Sequence, residues 1–359
     1  MSLRETVGQL FMVGFDGTDL SQEFMAWLKE FRPGGVILFS RNLSDPDQIL
    51  ALTQRLQEQA GPLIIAIDQE GGRVSRLPSQ FTIFPAAARF AQHHSTTLTY
   101  EAAAITGKEL RAVGINMNMA PVLDIHTRTA NLVIGDRAFS SQPEQVCCYG
   151  EAVIAGLQNH GVIACGKHFP GHGDTQTDSH KELPFVEASR ARLEDIELQP
   201  FRHAIKKNLA SIMTAHVQYP ALDPQLPATL SPAIIETLLR GHLGFDGLVL
   251  TDDMEMNAIT DHFSPDEASV AALHAGVDML VICHRQDRQT DAIEAVLHAA
   301  ESGDLPVERL NRSLARVVRI KTQFLSTIPI SQDQPVTDVV GAPSHQNLLR
   351  RIQAIDARI

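Results

Sequence analysis

Gly247-Leu248-Val249-Leu250-Thr251-Asp252-Asp253 is a short apolar run that stops abruptly on two carboxylates. It reads as a buried strand delivering charge at its C-terminal end. Similar runs precede it at Gln9–Phe15, Gly35–Ser40, Leu63–Asp68, Ile115–Ile125, Val162–His168 and Ser211–Val217, and one follows at Met279–His284. Helix-like stretches lie between them: Gln22–Phe31, Pro46–Gln59, Leu98–Val113, Glu144–Asn159, Arg190–Lys207, Pro232–Leu243, Pro265–Ala275 and Thr290–Ala300. Strand–helix alternation implies parallel pairing through crossover helices. About eight such units in roughly 300 residues predict an α/β fold, a single-domain (β/α)8 TIM-type barrel. A doubly wound sheet usually has fewer strands and a glycine-rich first turn. Here the first run ends in Gly14-Phe15-Asp16-Gly17, without GxGxxG.

The barrel is expected over residues 1–325, counting a further helical run at Pro306–Phe324. A polar, proline-containing stretch near Pro329–Pro343 and a helix-like end, Asn347–Ile359, make up a C-terminal helical extension over 326–359. It either packs on the barrel or trails from it.

Of the 359 residues, 44% are hydrophobic and 20% charged, which suits a soluble globular protein. A net charge of −12 argues against nucleic acid and anionic membrane as partners, since both require clustered Lys and Arg. At 5% aromatic residues, a long stacking groove for polysaccharide is not expected. Cys147, Cys148, Cys165 and Cys283 contain no CxxC pair and read as reduced thiols of a cytosolic protein. The N-terminus, with a short interrupted apolar run, reads as a first strand and not as a signal peptide. No segment approaches the roughly 18 apolar residues of a membrane span. A cytoplasmic monomer or weak homodimer is the expectation.

In such barrels chemistry sits where strands end. The third run leads into Asp68-Gln69-Glu70-Gly71-Gly72-Arg73-Val74-Ser75-Arg76. Its glycines permit a tight turn, and Asp68 is placed to accept sugar hydroxyls; a solvated turn is the plainer reading. After the fourth run comes Gly135-Asp136-Arg137-Ala138-Phe139, in which Asp136 would orient Arg137 towards a substrate oxygen, or the two form a surface ion pair. The densest cluster follows the fifth: Lys167-His168-Phe169-Pro170-Gly171-His172-Gly173-Asp174-Thr175-Gln176-Thr177-Asp178-Ser179-His180. Histidine and aspartate could ligate a metal, but the spacing lacks HExxH and Lys167 would repel a cation. No metal and no cofactor are therefore expected. Asp178-Ser179-His180 suggests a dyad in which the carboxylate sets the imidazole tautomer for proton transfer. Asp252 and Asp253 should face different ways, one reactive and the other supporting it or capping the next helix. His216 and His284 read as core or supporting residues rather than pocket residues.

Lys167-His168-Phe169-Pro170-Gly171-His172-Gly173-Asp174 with Asp178-Ser179-His180 resembles the signature of family 3 glycoside hydrolases, and more narrowly of their bacterial cytoplasmic β-N-acetylglucosaminidases of peptidoglycan recycling. Ile67-Asp68-Gln69-Glu70-Gly71-Gly72-Arg73-Val74, Gly135-Asp136-Arg137-Ala138-Phe139 and Thr251-Asp252-Asp253 match in the same order. The resemblance spans about residues 5–325. It implies Asp252 as nucleophile, His180 as acid/base and Asp178 as its partner. It further implies that Asp68, Arg76, Arg137, Lys167 and His168 bind a terminal N-acetylhexosamine of a small carbohydrate, such as a muropeptide. The mechanism implied is double displacement. Histidine in place of the usual second carboxyl would repel phosphate less, so a phosphorylase, like a β-glucosidase, is an alternative on the same scaffold. More distant alternatives are a metal-dependent barrel hydrolase and a non-catalytic sugar-binding protein.

Overall fold

The structure, a computed structural model, describes residues 1–175, 183–325 and 335–356. Eight parallel strands close into a barrel: β1 (Phe11–Val13), β2 (Gly35–Leu38), β3 (Ile64–Ile67), β4 (Met117–Asn118), β5 (Ile163–Phe169), β6 (Ser211–Thr214), β7 (Leu248–Asp253) and β8 (Met279–Ile282). Closure is made by β1 against β8, with Phe11, Met12 and Val13 opposite Leu280, Val281 and Ile282. Covered on both faces, these strands are apolar without alternation, as parallel strands must be.

Every expected strand forms, several of them shorter than their apolar run. The clearest case is 115–125, of which only Met117–Asn118 is regular strand. Two asparagines take over part of the pairing there: Asn116 Oδ1 accepts from Ile65 N, and Asn118 bonds both N and O of Gln69 through its amide. Beyond Pro121, which has no N–H to give, the chain still runs beside β5, with Leu123 N donating to Lys167 O and Val122 bridged to Lys167. That irregular stretch carries Asp124 to the barrel mouth.

Helices Gln22–Phe31, Pro46–Ala60, Thr96–Ala112, Pro143–Gln158, Pro265–Ala275, Gln286–Ser302 and Val307–Leu325 lie close to their expected bounds. The single helix expected at 190–207 is instead two, Arg190–Asp195 and Gln199–Lys206. Pro200 cannot donate to a preceding turn, so it opens the second helix in place of continuing the first. A six-residue helix, Leu3–Gly8, precedes β1 and was not expected; its capping box between Ser2 and Glu5 is the S-x-x-E signal. Also unexpected are Ala87–Gln92 and a two-stranded ribbon of Gln218–Tyr219 with Asp223–Pro227. In the C-terminal region Val336–Val339 and Pro343–Asp356 are helical and touch helix Thr96–Ala112 on the outside of the barrel. Among the described residues no helix is long and apolar enough to cross a membrane.

Candidate active site

The strands end around a pocket of about 710 Å³ at the C-terminal mouth, lined by Asp68, Glu70, Arg76, Arg137, Lys167, His168, Asp252 and Asp253 among others. That volume suits a monosaccharide and part of its neighbour.

One wall is a buried ion network. Lys167, on β5 and 2% exposed, places Nζ 2.7 Å from Asp68 Oδ1 and 2.7 Å from Glu70 Oε1. Glu70 in turn holds Arg137 by both oxygens, at 2.8 Å each. Burial alone would push Glu70 towards protonation, but Lys167 and Arg137 outweigh it and hold its carboxyl well below the usual range. Burial opposes the charge on Lys167, yet Asp68 and Glu70 raise it to about 12. Glu70, Lys167 and Arg137 are therefore ionised at neutral pH. Side chains held this way present fixed donors and acceptors to hydroxyl groups with little freedom left to lose.

A second set orients the imidazoles. Asp124, fully buried, takes His168 Nδ1 at 2.6 Å on one oxygen and the amides of His168 and His172 at 3.1 and 2.7 Å on the other. Burial works against its charge, but His168 and His172 more than compensate, and its pKa lies below the ordinary value. A carboxylate only accepts, so His168 carries its proton on Nδ1 and turns Nε2 to the pocket, 3.5 Å from Arg137 Nη2. His172 is desolvated to a pKa of about 4 and is neutral.

Asp252 stands at the end of β7 on the opposite wall. Burial disfavours its charge, but His168, His216, the Asp253 amide (2.8 Å from Oδ1) and Lys167 keep its pKa below the ordinary value. An ionised carboxylate at the floor of a sugar-sized pocket can attack carbon or stabilise a developing cation. Asp253 differs: burial, together with Glu255 and Asp252, lifts it to about 7 despite the amides of Glu255 and Cys283 on its Oδ1. Adjacent carboxyls thus titrate apart, Asp252 below the ordinary value and Asp253 about 7, the division seen where two acids have separate tasks.

Asp68, Arg76, Arg137, Lys167, His168 and Asp252 all meet at this pocket, whereas Asp178 and His180 lie outside the described residues. Three expectations need correcting. Asp136 does not orient Arg137: it pairs with Arg73 at 2.9 Å, and Glu70 grips Arg137 instead, because the short 3-10 turn Gly135–Arg137 points the two side chains apart. Asp253 caps no helix; it also lines the pocket, bridging β7 to the residue after β8 through the Cys283 amide. His284 is half exposed at the pocket lip, 3.5 Å from Asp253 and tilted against Phe39 with ring centroids 5.5 Å apart. His216 does support from beneath, Nε2 bonding Asp253 O at 3.0 Å and Nδ1 bonding Thr229 Oγ1 at 2.8 Å. Sequence reasoning gave no role to Glu70, Asp124 or His172. Asp124 had a signal, a lone carboxylate near the end of an apolar run. Among the described residues, no three His, Cys, Asp or Glu side chains converge as a metal ion would require.

A closed parallel barrel with paired acids and a wall of fixed ion pairs at its mouth has the architecture of a barrel hydrolase acting on polar substrates. The comparisons narrow this. The model of the glycosyl hydrolase family 3 N-terminal domain matches residues 2–320. The β-hexosaminidase of Alkalilimnicola ehrlichii is 42% identical over 315 residues, which cover 86% of this chain and 89% of that one. The glycoside hydrolase family 3 β-N-acetylglucosaminidase structure from Paenibacillus sp. FPU-7 superposes with a TM-score of 0.95 at 44% identity, over 98% of this chain and 68% of that one. The β-N-acetylhexosaminidase structure from Beutenbergia cavernae gives 0.82 at 31% identity, over 89% and 98%. The chain belongs to glycoside hydrolase family 3. It is a glycoside hydrolase of the β-hexosaminidase type.

Proposed function

We propose that the enzyme is a retaining exo-β-N-acetylglucosaminidase that removes a terminal non-reducing N-acetylhexosamine by double displacement. The observation that carries this reading is Asp252, ionised at the end of β7 and facing a wall of fixed hydroxyl-binding groups across a pocket of monosaccharide size. In the first step Asp252 attacks the anomeric carbon. The glycosidic bond breaks, and His180, kept protonated by Asp178, gives its proton to the departing oxygen. In the second step neutral His180 takes a proton from water, which displaces Asp252 and releases the sugar with its β configuration. Asp68, Lys167, Arg137, His168 and Arg76 hold the sugar hydroxyls and acetamido group. Glu70 holds Lys167 and Arg137 in turn, and Asp124 holds His168.

The natural substrate in this reading is a small muropeptide fragment met in the cytoplasm, and residues 326–359 are an extension of a single catalytic barrel. Turnover of 4-nitrophenyl N-acetyl-β-glucosaminide, followed by proton NMR of the first-formed product, tests it. The β anomer is expected first; an α product would mean inversion, and no turnover would remove the substrate class.

A further inference from the structure

The match to the family domain ends at residue 320, yet the chain beyond it is tied into the barrel by an arrangement the hydrolytic mechanism does not use. Glu109, on helix Thr96–Ala112, is a carboxylate with 1% exposure. It accepts from Thr82 N at 2.8 Å and Thr82 Oγ1 at 2.7 Å, both in the segment after β3. It also accepts from Gly341 N at 3.0 Å and His345 Nδ1 at 2.8 Å, both in the C-terminal region. Gly341 has φ +65°, and a Cβ there would sit 2.3 Å from Gln80 O, so only glycine lets the two backbones approach this closely. A buried carboxylate is stable only when its lone pairs are filled. Here two of the four donors come from the tail.

Leu348 and Ile352 complete the attachment. They enter a small apolar cluster separate from the main core, together with Phe84, Ile125 and Phe139. Each of those three adjoins a residue of the pocket wall. Phe84 O accepts from Gly72 N at 2.9 Å, and a Cβ on Gly71 would lie 2.8 Å from the same oxygen, so the turn after Glu70 is seated on Phe84. Ile125 directly follows Asp124, and Phe139 follows Arg137 by two positions.

We propose that the C-terminal segment is a positioning element of the active site: His345, through Glu109, and Leu348 with Ile352, through the cluster, fix the backbone that carries Glu70, Asp124 and Arg137, and so set where Lys167, Arg137 and His168 meet the terminal sugar. The inference rests on the reading of the pocket as the terminal-sugar site. Among the described residues none of the tail lines the pocket; in this proposal it acts by holding the loops that do, and a small displacement of such loops weakens binding disproportionately.

The test uses the full chain with two separate substitutions, His345→Ala and Ile352→Ala. KM and kcat for 4-nitrophenyl N-acetyl-β-glucosaminide, Ki for free N-acetylglucosamine and the thermal midpoint are measured, with assays run well below each midpoint. KM and Ki should rise together by about three- to ten-fold while kcat stays within about twofold, the pattern of lost uniform binding. A lowered midpoint with KM and Ki unchanged overturns the proposal and leaves the tail a stabilising strap only. A fall in kcat alone overturns it too. Should His345→Ala fail to fold, Ile352→Ala decides. Absence of turnover in the parent enzyme would instead sink the sugar reading, so the two failures are distinct.

Discussion

Glu70 holds the Arg137 guanidinium with both carboxylate oxygens at 2.8 Å, and one of those oxygens also takes Lys167 Nζ at 2.7 Å. One acid after β3 thus sets two cations of the sugar wall, Arg137 after β4 and Lys167 on β5. Removing a partner from a buried pair usually does more harm than the pair did good, because the remaining charge stays buried.

Glu70→Gln should therefore lower unfolding stability by about 3 kcal/mol at neutral pH and kcat/KM by roughly a hundredfold or more. The stability difference carries a pH signature. Glu70 has a folded pKa depressed below its ordinary 4.5, so its contribution is complete above that value and is lost as pH falls below it. Urea denaturation should show the gap between wild type and variant narrowing as pH drops from 4.5; a gap that is constant with pH contradicts the assignment.

Asp253 titrates in the opposite sense. Its folded pKa, about 7, lies above the ordinary 3.8, so the folded state binds the extra proton and stability declines as pH rises between those values, then levels off. Asp253→Asn keeps an oxygen for the Glu255 and Cys283 amides while removing the titration. Between pH 4 and 8 the variant should gain on wild type by an amount of order 2–4 kcal/mol. Denaturant midpoints that run parallel across that range would show that Asp253 is not held protonated.

Asp124→Asn leaves the volume unchanged but offers only one oxygen where His168 Nδ1 and two backbone amides now share two. His168 would lose its fixed tautomer. An increase in the Ki of N-acetylglucosamine of about ten- to a hundredfold is expected, with the fold intact by circular dichroism. An unchanged Ki would mean that His168 does not touch the sugar.

For the proton donor, leaving-group chemistry separates the two steps. His180→Ala should lose about 10²–10⁴ in rate on substrates with poor leaving groups. With a 2,4-dinitrophenyl leaving group it should instead show a burst followed by slow turnover, because that departure needs no acid while water still needs a base. Equal losses on both substrates, without a burst, would assign the proton transfer elsewhere.

The barrel was legible because fully buried parallel strands must be apolar on both faces, and so each strand stands out against its flanking helices. Boundaries blurred where side chains substitute for ladder bonds, as Asn116 and Asn118 do beside β3, and where Pro200 divides a helical stretch. Asp252, Lys167 and Arg137 were legible as polar residues at strand ends. Which acid serves which cation was not: Arg137 sits beside Asp136 in the chain, and only the fold brings Glu70 to it from 67 residues away. The difference between Asp252 and Asp253 was equally hidden: His168 on β5, His216 after β6 and Lys167 offset the burial of Asp252, whereas burial and the charges of Glu255 and Asp252 raise Asp253.

In the proposed double displacement Asp252 forms a covalent bond to the sugar. Inactivation with a 5-fluoro N-acetylglucosaminyl fluoride, followed by proteolysis and peptide mass mapping, tests it most directly. A single glycosyl adduct on the peptide containing Asp252, assigned to that side chain by fragmentation and absent in Asp252→Asn, is the predicted result. An adduct on Asp253 or on another residue, or turnover of the probe by wild type without any adduct accumulating, would contradict the account.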